Sequence, residues 1–240
     1  MFADNHINFD SINSTNSFAL GLKGTSLFSE GLLVTTNHQD KGRGNYGKEW
    51  ESAYKKNLLL SLVVEPSIPL SKQFDLNIMI SLAIYDFLYS LDIICDIKWP
   101  NDLLIDNAKI SGILIDNVLH KDIIAYSVIG IGINVNQLSF NEYFPPATSI
   151  KKCLSEEQDC KLLLNKLLQF IEKRIIDYRK GFDQQQEYNN LLYLRDKEAY
   201  FIYKGNKFKG VIKSVKSGLI KIETTNSINK YNINEIKFCF

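Results

Sequence analysis

The middle of the chain is rich in short β-type runs, and this feature limits the fold more than any other. Apolar, β-branched stretches of the kind found in strands occur at residues 93–98, 102–105, 110–115 and 123–136. Asp106-Asn107 separates the second stretch from the third, which predicts a hairpin. A long helical pattern precedes them. One helix followed by many strands favours an α+β domain built on a mixed, mainly antiparallel sheet.

Three segments have the apolar spacing of helices. Residues 71–91 repeat apolar side chains at the helical period, and Ser71 is the expected N-cap. A second helix is predicted at residues 155–180, where Gly181 provides a stop signal. A shorter helix is predicted at about residues 183–194.

From about residue 196 the chain changes to short β runs with turn signals. Residues 200–204 and 207–212 are predicted to pair across a two-residue turn at Gly205-Asn206. Further runs at 219–223 and 231–236 complete a small barrel-like unit. The sequence therefore predicts two domains, residues 1–194 and residues 195–240, with the second packed on the first.

The composition is that of an ordinary globular protein, with 240 residues and a net charge of +1. This balance does not favour bulk electrostatic binding of nucleic acid. The sequence lacks a secretory signal pattern, and no apolar run approaches the roughly 18 residues of a membrane span. The four cysteines form no C-x-x-C pair. We therefore expect no zinc site, no membrane partner, and reduced cysteines in a cytoplasmic protein.

A run of glycines and cations suits a bound anion: Gly42-Arg43-Gly44-Asn45-Tyr46-Gly47-Lys48. It offers bare backbone N–H groups, a planar guanidinium and an ammonium group. The run also matches the G-x-G-x-x-G fingerprint of dinucleotide-binding proteins, which requires a following helix. A strand is predicted there instead, at residues 57–64, so this interpretation is disfavoured. The other alternative is a flexible hairpin loop.

Two later segments add polar groups beside strand-like runs. They are Lys98-Trp99-Pro100-Asn101-Asp102 and Lys109-Ile110-Ser111-Gly112-Ile113-Leu114. They contribute two lysines, an amide and a carboxylate. Together with the glycine-rich run they predict a site for an anionic, nucleotide-like ligand with room for a metal ion.

Taken together, these segments resemble the biotin protein ligases, or biotin–[acetyl-CoA-carboxylase] ligases, over nearly the whole chain. The matching motifs occur in the family's order. They are Ser14-Thr15-Asn16, Gln39 with Gly42-Arg43-Gly44 and the downstream Trp50, Lys98-Trp-Pro-Asn-Asp102, Lys109-x-x-Gly112-Ile-Leu, and Gly130-Ile-Gly-Ile-Asn134. The lipoate–protein ligases and octanoyl transferases share the fold. The Lys-Trp-Pro-Asn-Asp and Gly-Arg-Gly motifs point to the biotin branch.

The resemblance implies a class II synthetase-like catalytic fold, the biotin–lipoate ligase fold, followed by a small SH3-like β-barrel. It also implies an enzyme that joins biotin to ATP, giving biotinyl-5′-adenylate and pyrophosphate, with Mg²⁺ as cofactor. The biotinyl group then passes to a lysine of a biotin carboxyl carrier domain. Such chemistry needs positioning and charge stabilisation rather than an enzyme nucleophile, and the sequence shows no Ser/His/Asp or Cys/His constellation.

The matched positions imply roles for individual residues. Arg43 and Lys109 are expected to act at the biotin carboxylate and the α-phosphate, with Arg43 contacting both substrates. The other biotin-binding positions are Ser14, Thr15, Asn16, Gln39, Gly42, Gly44, Asn45, Gly112, Leu114 and Gly130. The other ATP-binding positions are Lys48, Trp50, Lys98, Asn101, Asp102 and Asn134, with Asp102 also implied as a Mg²⁺ ligand.

Some of these positions also have a structural interpretation. Ser14 can cap a helix as well as bind biotin. Gly112 and Gly130 are expected to let the backbone approach the ligand, and the alternative is a β-bulge. Trp99 is expected to pack in the core rather than stack on adenine.

Two departures from the family pattern affect the interpretation. Asn45 follows Gly-Arg-Gly where well-known members have a second arginine, which is linked to retention of the adenylate. Only 13 residues precede Ser14, too few for the winged helix-turn-helix domain of bifunctional members. A monofunctional enzyme without a nucleic-acid partner is therefore expected.

Other functions and assemblies stay open at the level of sequence. One is a lipoate or octanoate ligase on the same scaffold, and another is a non-catalytic biotin-binding sensor. The presence of both Arg43 and Lys109 argues against a sensor, because a pure binder needs no cation at the reacting phosphate. Relatives can pair through sheet edges, so the sequence is compatible with a monomer and with a homodimer.

Overall fold

The structure, a computed structural model, describes residues 5–240 without the side chain of Tyr46. The strands are β1 Asn5–Phe9, β2 Leu32–Thr36, β3 Asn57–Val64, β4 Ile68–Pro69, β5 Asp96–Lys98, β6 Asp102–Ile105, β7 Ala108–His120, β8 Ile123–Asn134, β9 Glu198–Tyr203, β10 Asn206–Lys216, β11 Leu219–Glu223, β12 Ile228–Tyr231 and β13 Ile236–Phe238. The helices are α1 Thr15–Gly21, α2 Phe74–Tyr89, α3 Ile150–Leu154, α4 Cys160–Arg179 and α5 Gln185–Asn190.

A large sheet has the strand order β1-β2-β3-β8-β7-β6-β5, with β4 paired to β8. β1 and β2 are parallel, and the other neighbouring pairs are antiparallel. This confirms the predicted α+β fold with a mixed, mainly antiparallel sheet.

Strand alternation divides the large sheet into two faces. On β3, Leu58, Leu60 and Leu62 belong to the core cluster that contains α2 and α4. Val63 belongs to a second cluster with Ala19 of α1. Because successive side chains of a strand point to opposite faces, α2 and α4 cover one face and α1 lies on the other.

The helices begin later than the sequence pattern predicts. Ser71 does not cap α2, because it lies in a 3₁₀ turn over Leu70–Lys72 and the helix begins at Phe74. α4 begins at Cys160, where the Asp159 carboxylate accepts hydrogen bonds from two backbone N–H groups of the first turn. None of the helices within residues 5–240 is long and apolar enough to cross a membrane.

The two predicted hairpins differ in how well their turns were placed. Asp106 and Asn107 turn β6 into β7, both with positive φ, as predicted. The later turn lies at Lys204-Gly205, one residue earlier than predicted. The observed register pairs Phe201 with Phe208 and so keeps both rings on the buried side of the sheet. Burial of one face sets the register of a hairpin, and here it overrode the turn signal.

The second sheet has five strands in the order β12-β11-β10-β9-β13. Its core is shared with the large sheet: Phe74 and Leu82 of α2, Trp99 and Phe201 all belong to one cluster. The indole Nε1 of Trp99, which is 2% exposed, donates a hydrogen bond to the Gly218 carbonyl at 3.1 Å. Trp99 is therefore a core residue. The boundary between residues 194 and 195 stays a prediction.

Arg174 joins three helices. Its guanidinium donates two hydrogen bonds to Asp86 of α2, at 2.7 and 2.9 Å, and two to Glu187 of α5, both at 2.6 Å. The Arg174 side chain is only 12% exposed. A planar fork is needed to pair two carboxylates in this way.

We predict that Arg174→Lys lowers the free energy of unfolding by about 1–3 kcal/mol, because an ammonium cannot reproduce the paired hydrogen bonds. Urea denaturation at neutral pH would measure this. The neighbouring exposed Lys173, changed to alanine, is the matched control and is expected to stay near wild type. Equal midpoints for Arg174→Lys and Lys173→Ala would contradict the prediction.

Candidate active site

A pocket opens on the α1 face of the large sheet and holds about 450 Å³ of space, part of it open to solvent. The predicted residues that line it are Ser14, Thr15, Asn16, Gln39, Arg43, Gly44, Asn45, Trp50, Asn101, Lys109, Gly112, Leu114 and Gly130. The lining also includes Leu60, Ile113, Ile131 and Gly132, which the sequence did not predict. The predicted residues outside the lining are Gly42, Lys48, Lys98, Asp102 and Asn134.

Strand register builds the floor of the pocket from two adjacent transverse rows. In the first row, Lys98, Asp102, Gly112 and Gly132 follow one another across β5, β6, β7 and β8. The second row is Leu114, Gly130 and Ser61, on β7, β8 and β3. Residues in register share a face, so motifs far apart in sequence meet here.

The first turn of α1 supplies a polar end to the pocket. Ser14 caps the helix, accepting a hydrogen bond from the Ser17 N–H at 3.4 Å. The Gln39 side-chain oxygen accepts from the Thr15 N–H at 2.9 Å. The Ser61 hydroxyl donates to Asn16 Oδ1 at 2.5 Å and contacts Thr15 Oγ1 at 2.7 Å. Ser14, Thr15, Asn16 and Ser61 are buried, Gln39 is half-buried, and these side chains hold one another in place.

The glycines of β7 and β8 make room for side chains of the protein itself. A Cβ at Gly130 would overlap the Asn16 amide, and one at Gly132 would overlap the Trp50 ring. A Cβ at Gly112 would lie 3.0 Å from Trp50 and 3.2 Å from Lys109 Nζ. The pairing of β7 with β8 is regular at these positions, so the β-bulge alternative is wrong for Gly112 and Gly130.

The glycine-rich run forms a small hairpin that contacts β7. The Trp50 N–H donates to the Gly42 carbonyl at 2.9 Å, and the Gly44 N–H to the Lys48 carbonyl at 2.7 Å. The Asn45 amide donates to the Ile113 carbonyl at 3.1 Å. A 3₁₀ turn over Asn45–Gly47 forms the tip of this hairpin, and β3 is the next element. Because no α-helix follows the run, the dinucleotide-binding interpretation is excluded.

Arg43 is attached to the same strand. Its Nη1 lies 3.3 Å from Asp116 Oδ2 and 3.4 Å from Ser17 Oγ. Asp116 Oδ2 also accepts from Asn16 Nδ2 at 3.1 Å. One carboxylate oxygen therefore connects the glycine-rich run with the polar end of the pocket.

Asp102 lies between two lysines. Its Oδ1 is 2.7 Å from Lys109 Nζ and its Oδ2 is 3.2 Å from Lys98 Nζ. Burial raises the pKa of the Asp102 carboxyl, but the charges of Lys109 and Lys98 outweigh burial and hold that pKa below its ordinary value. The carboxylate is thus ionised at neutral pH, and Lys109 reaches the pocket from it.

Two amides and an indole complete the surroundings of Lys109. Asn101 Nδ2 donates to the Ile113 carbonyl at 2.8 Å, the acceptor that Asn45 also uses. Asn134 donates to the Thr148 carbonyl at 3.0 Å and so supports backbone beside the site. Lys109 Nζ lies 5.4 Å from the centre of the Trp50 ring. The Trp50 Nε1 is buried, without a hydrogen-bond partner among the described residues.

The residues around Asp102 are a poor match for a resident metal ion. Within residues 5–240 there is no group of three or more His, Cys, Asp or Glu side chains that could hold one. Both oxygens of Asp102 already face ammonium groups. Mg²⁺ prefers oxygen ligands and retained waters, and a carboxylate with both oxygens facing ammonium groups offers it little.

Comparison with known proteins decides the family. Residues 8–134 match the biotin/lipoate A/B protein ligase family. The chain belongs to this family. The bifunctional ligase/repressor BirA of Bacillus spizizenii is 36% identical over 175 residues, covering 70% of this chain and 53% of that protein. The biotin–[acetyl-CoA-carboxylase] ligase of Mycobacterium tuberculosis is 29% identical over 176 residues, covering 71% of this chain and 64% of the relative.

A solved structure extends the similarity to both sheets of this family member. The biotin protein ligase of Aquifex aeolicus in complex with biotin and ATP has a TM-score of 0.80 and 25% sequence identity, over 98% of each chain. The chain spans about half the length of the Bacillus BirA proteins that it matches.

Sequence reasoning missed several residues of the site in this family member. Gly132 stands within the Gly-x-Gly-Ile-Asn motif, so its spacing from Gly130 was a usable signal. Asp116 lies two residues beyond Leu114, on the same face of β7, and strand alternation could have indicated it. Ser61 carried no signal, because an isolated serine in an apolar strand does not reveal its cross-strand partner.

We predict that Asp116→Asn loosens the glycine-rich run, because the amide lacks the charge that holds Arg43. Trypsin should cut after Lys41, Arg43 or Lys48 about two- to fivefold faster than in wild type, as expected for loss of a partly exposed ion pair. Mass spectrometry of timed digests would measure the rates. Asp122→Asn, in the exposed β7–β8 turn, is the control. An unchanged cleavage rate in Asp116→Asn would refute the prediction that Asp116 holds Arg43 and the glycine-rich run in place.

Proposed function

We propose that the protein ligates biotin, at the expense of ATP, to one lysine of a biotin carboxyl carrier domain through biotinyl-5′-AMP. The observation that carries this proposal is the convergence of Arg43 and Lys109, from a loop and from β7, on one pocket with a buried polar end. Supporting it, the similar Aquifex aeolicus enzyme is a biotin protein ligase seen with biotin and ATP.

The first step brings two anions together. An oxygen of the biotin carboxylate attacks the α-phosphorus of ATP, and the bond from that phosphorus to the bridging oxygen of pyrophosphate breaks. Arg43 and Lys109 stabilise the negative charge on the reacting groups, the kind of fixed electrostatic support that lowers such barriers. Lys109 leaves its ion pair with Asp102 to bind the phosphate. Arg43 likewise leaves its ion pair with Asp116 to bind the reacting groups.

In the second step the amine of the acceptor lysine attacks the carbonyl carbon of the adenylate. An amide forms, AMP leaves, and the amine loses a proton. No enzyme nucleophile is needed, because the mixed anhydride is already activated. Positioning of the two reactants supplies most of the catalysis.

The biotin head lies at the polar end, where Ser14, Thr15, Asn16 and Gln39 offer hydrogen bonds. The biotin-binding role extends along the pocket to Gly44, Asn45, Gly112, Leu114 and Gly130, and to Gly42, which lies just outside the lining and supports the glycine-rich run. The apolar tail lies along Leu114, directed at Lys109. The buried and unpaired Trp50 Nε1 is a donor for a ligand atom in this proposal.

ATP takes the other side of Lys109. Asn101 and Trp50 line the pocket, Trp50 and Lys48 cover the nucleotide, and Asn134 supports the strand end. Lys98 and Asp102 lie behind Lys109 and shape its environment. Mg²⁺ enters with the triphosphate, and direct ligation by Asp102 is not favoured by its two ammonium partners.

The acceptor is a carrier domain of a biotin-dependent carboxylase, in line with the acetyl-CoA carboxylase in the name of the Mycobacterium tuberculosis relative. No nucleic-acid or membrane partner is part of the proposal. The enzyme acts in the cytoplasm, where ATP is available. We further propose that β9–β13 form an SH3-like barrel.

The first test incubates a biotin carboxyl carrier domain with this protein, Mg–ATP and either biotin or lipoate. We expect a biotin-sized mass increase on one lysine that requires ATP. Arg43→Ala and Lys109→Ala should each slow it by roughly a hundredfold, while Lys72→Ala, an exposed lysine outside the pocket, should not. A lipoyl-sized mass increase would instead show that the protein is a lipoate ligase. Biotin binding without any modification would favour a sensor.

Asn45 gives a second prediction. Asn45→Arg places a cation near the adenylate phosphate and is expected to slow escape of biotinyl-5′-AMP about three- to tenfold. A chase of labelled adenylate with unlabelled adenylate would give the off-rate. Asn45→Gln keeps a neutral amide and serves as control. An off-rate for Asn45→Arg equal to that of Asn45→Gln would show that charge at this position does not govern retention.

A further inference from the structure

The aromatic side chains at the end of β13 cover a lysine of the large sheet. Lys98 Nζ lies 5.3 Å from the centre of the Phe238 ring and 5.9 Å from that of Phe240. Both distances are within the range of a cation–π interaction. The Lys98 side chain is only 14% exposed, so water screens the contact little.

Both rings are held by neighbours. Phe238 packs edge-on against Phe201, with centroids 5.4 Å apart, and Phe240 stacks on Tyr193 at 6.0 Å. The Tyr193 hydroxyl donates in turn to Asn107 Oδ1 in the β6–β7 turn, at 2.6 Å. Both rings are therefore braced by another aromatic side chain where they face Lys98, and Phe238 is the less exposed of the two because Phe240 is 46% exposed.

Lys98 continues into the proposed site through Asp102. Asp102 Oδ2 faces Lys98 Nζ at 3.2 Å, and Oδ1 faces Lys109 Nζ at 2.7 Å. The order is aromatic faces, cation, carboxylate, cation. Among the described residues that line the pocket, Lys109 is included and Lys98 is not.

We propose that Phe238 and Phe240 are positioning residues for Lys109, acting through Lys98 and Asp102. The proposal rests on the function proposed above and adds a contribution from the second sheet. The rings hold Lys98 against Asp102, so Lys98 takes a share of the carboxylate charge. Lys109 is then bound less strongly by Asp102 and is free to engage a phosphate.

Aromaticity, rather than apolar bulk, is what the proposal requires. Leucine at position 238 would fill much of the same space but has no negative ring face to attract the ammonium. Lys98 would then leave Asp102 more often. Asp102 would concentrate its charge on Lys109, and the ion pair inside the site would tighten.

The test measures lysine reactivity in the full-length protein and needs no enzymatic activity. Wild type, Phe238→Leu and Phe238→Tyr are treated briefly with acetic anhydride, and acetylation of each lysine is followed by mass spectrometry. In Phe238→Leu we expect Lys98 to react about fivefold faster and Lys109 about threefold slower. Phe238→Tyr, which keeps the ring face, should return both rates towards wild type.

Phe208→Leu is the matched control. Phe208 is an aromatic residue of the same sheet and packs on Phe201 at 5.7 Å, and no described lysine lies over its ring. Phe208→Leu should change the free energy of unfolding as much as Phe238→Leu does, while Lys98 and Lys109 are acetylated at wild-type rates. An unchanged acetylation rate of Lys98 in Phe238→Leu would overturn the proposal that the rings hold Lys98. Faster acetylation of Lys98 with an unchanged rate for Lys109 would overturn the coupling to the site.

Kinetics separate this proposal from the activity on which it rests. If wild type ligates biotin, Phe238→Leu should lower kcat for adenylate formation several-fold with the Kd for biotin unchanged, and Phe238→Tyr should recover it. A wild-type kcat in Phe238→Leu would refute the positioning role. If wild type does not ligate biotin, only the proposed function is refuted, because the acetylation rates still test whether the rings hold Lys98 against Asp102.

Discussion

The carboxylate of Asp102 is the charge around which the site is organised. A carboxylate this deeply buried is unfavourable unless it is paired, and two lysines pair it from opposite sides. The separation between Lys98 and Lys109 is set by the pairing of β5, β6 and β7. The place of Lys109 in the pocket thus follows from strand register, which is rigid, whereas Arg43 reaches the pocket from a loop.

Small residues in the next strands complete this arrangement. Gly112 and Gly132 continue the row of Asp102, and their missing side chains leave the space that the Trp50 ring occupies. Gly130 does the same for Asn16. A loop residue and a helix residue therefore reach the sheet surface because the strands are bare there. Any larger side chain at these positions would displace the groups that line the pocket.

Much of this could be predicted from the sequence, and the parts that failed have physical causes. Fold class, the β6–β7 turn and most of the pocket lining followed from local patterns and from motifs. The start of α2 did not, because Ser71 lies in a 3₁₀ turn that has similar residue preferences. The Lys204-Gly205 turn did not, because burial of Phe201 and Phe208 fixed the register. Asp116, Ser61 and the aromatic cover of Lys98 depend on partners distant in sequence, which local patterns do not encode.

The contact between Trp99 and Gly218 has a consequence for evolution. The acceptor is a backbone carbonyl, so many residues at position 218 could provide it. Glycine is favoured at position 218 for a different reason, the positive φ of 79° that the backbone adopts there. Substitutions at the two positions therefore have no reason to be correlated, although the contact joins the two sheets. A covariation analysis, which detects complementary side chains, would therefore not detect this hydrogen bond.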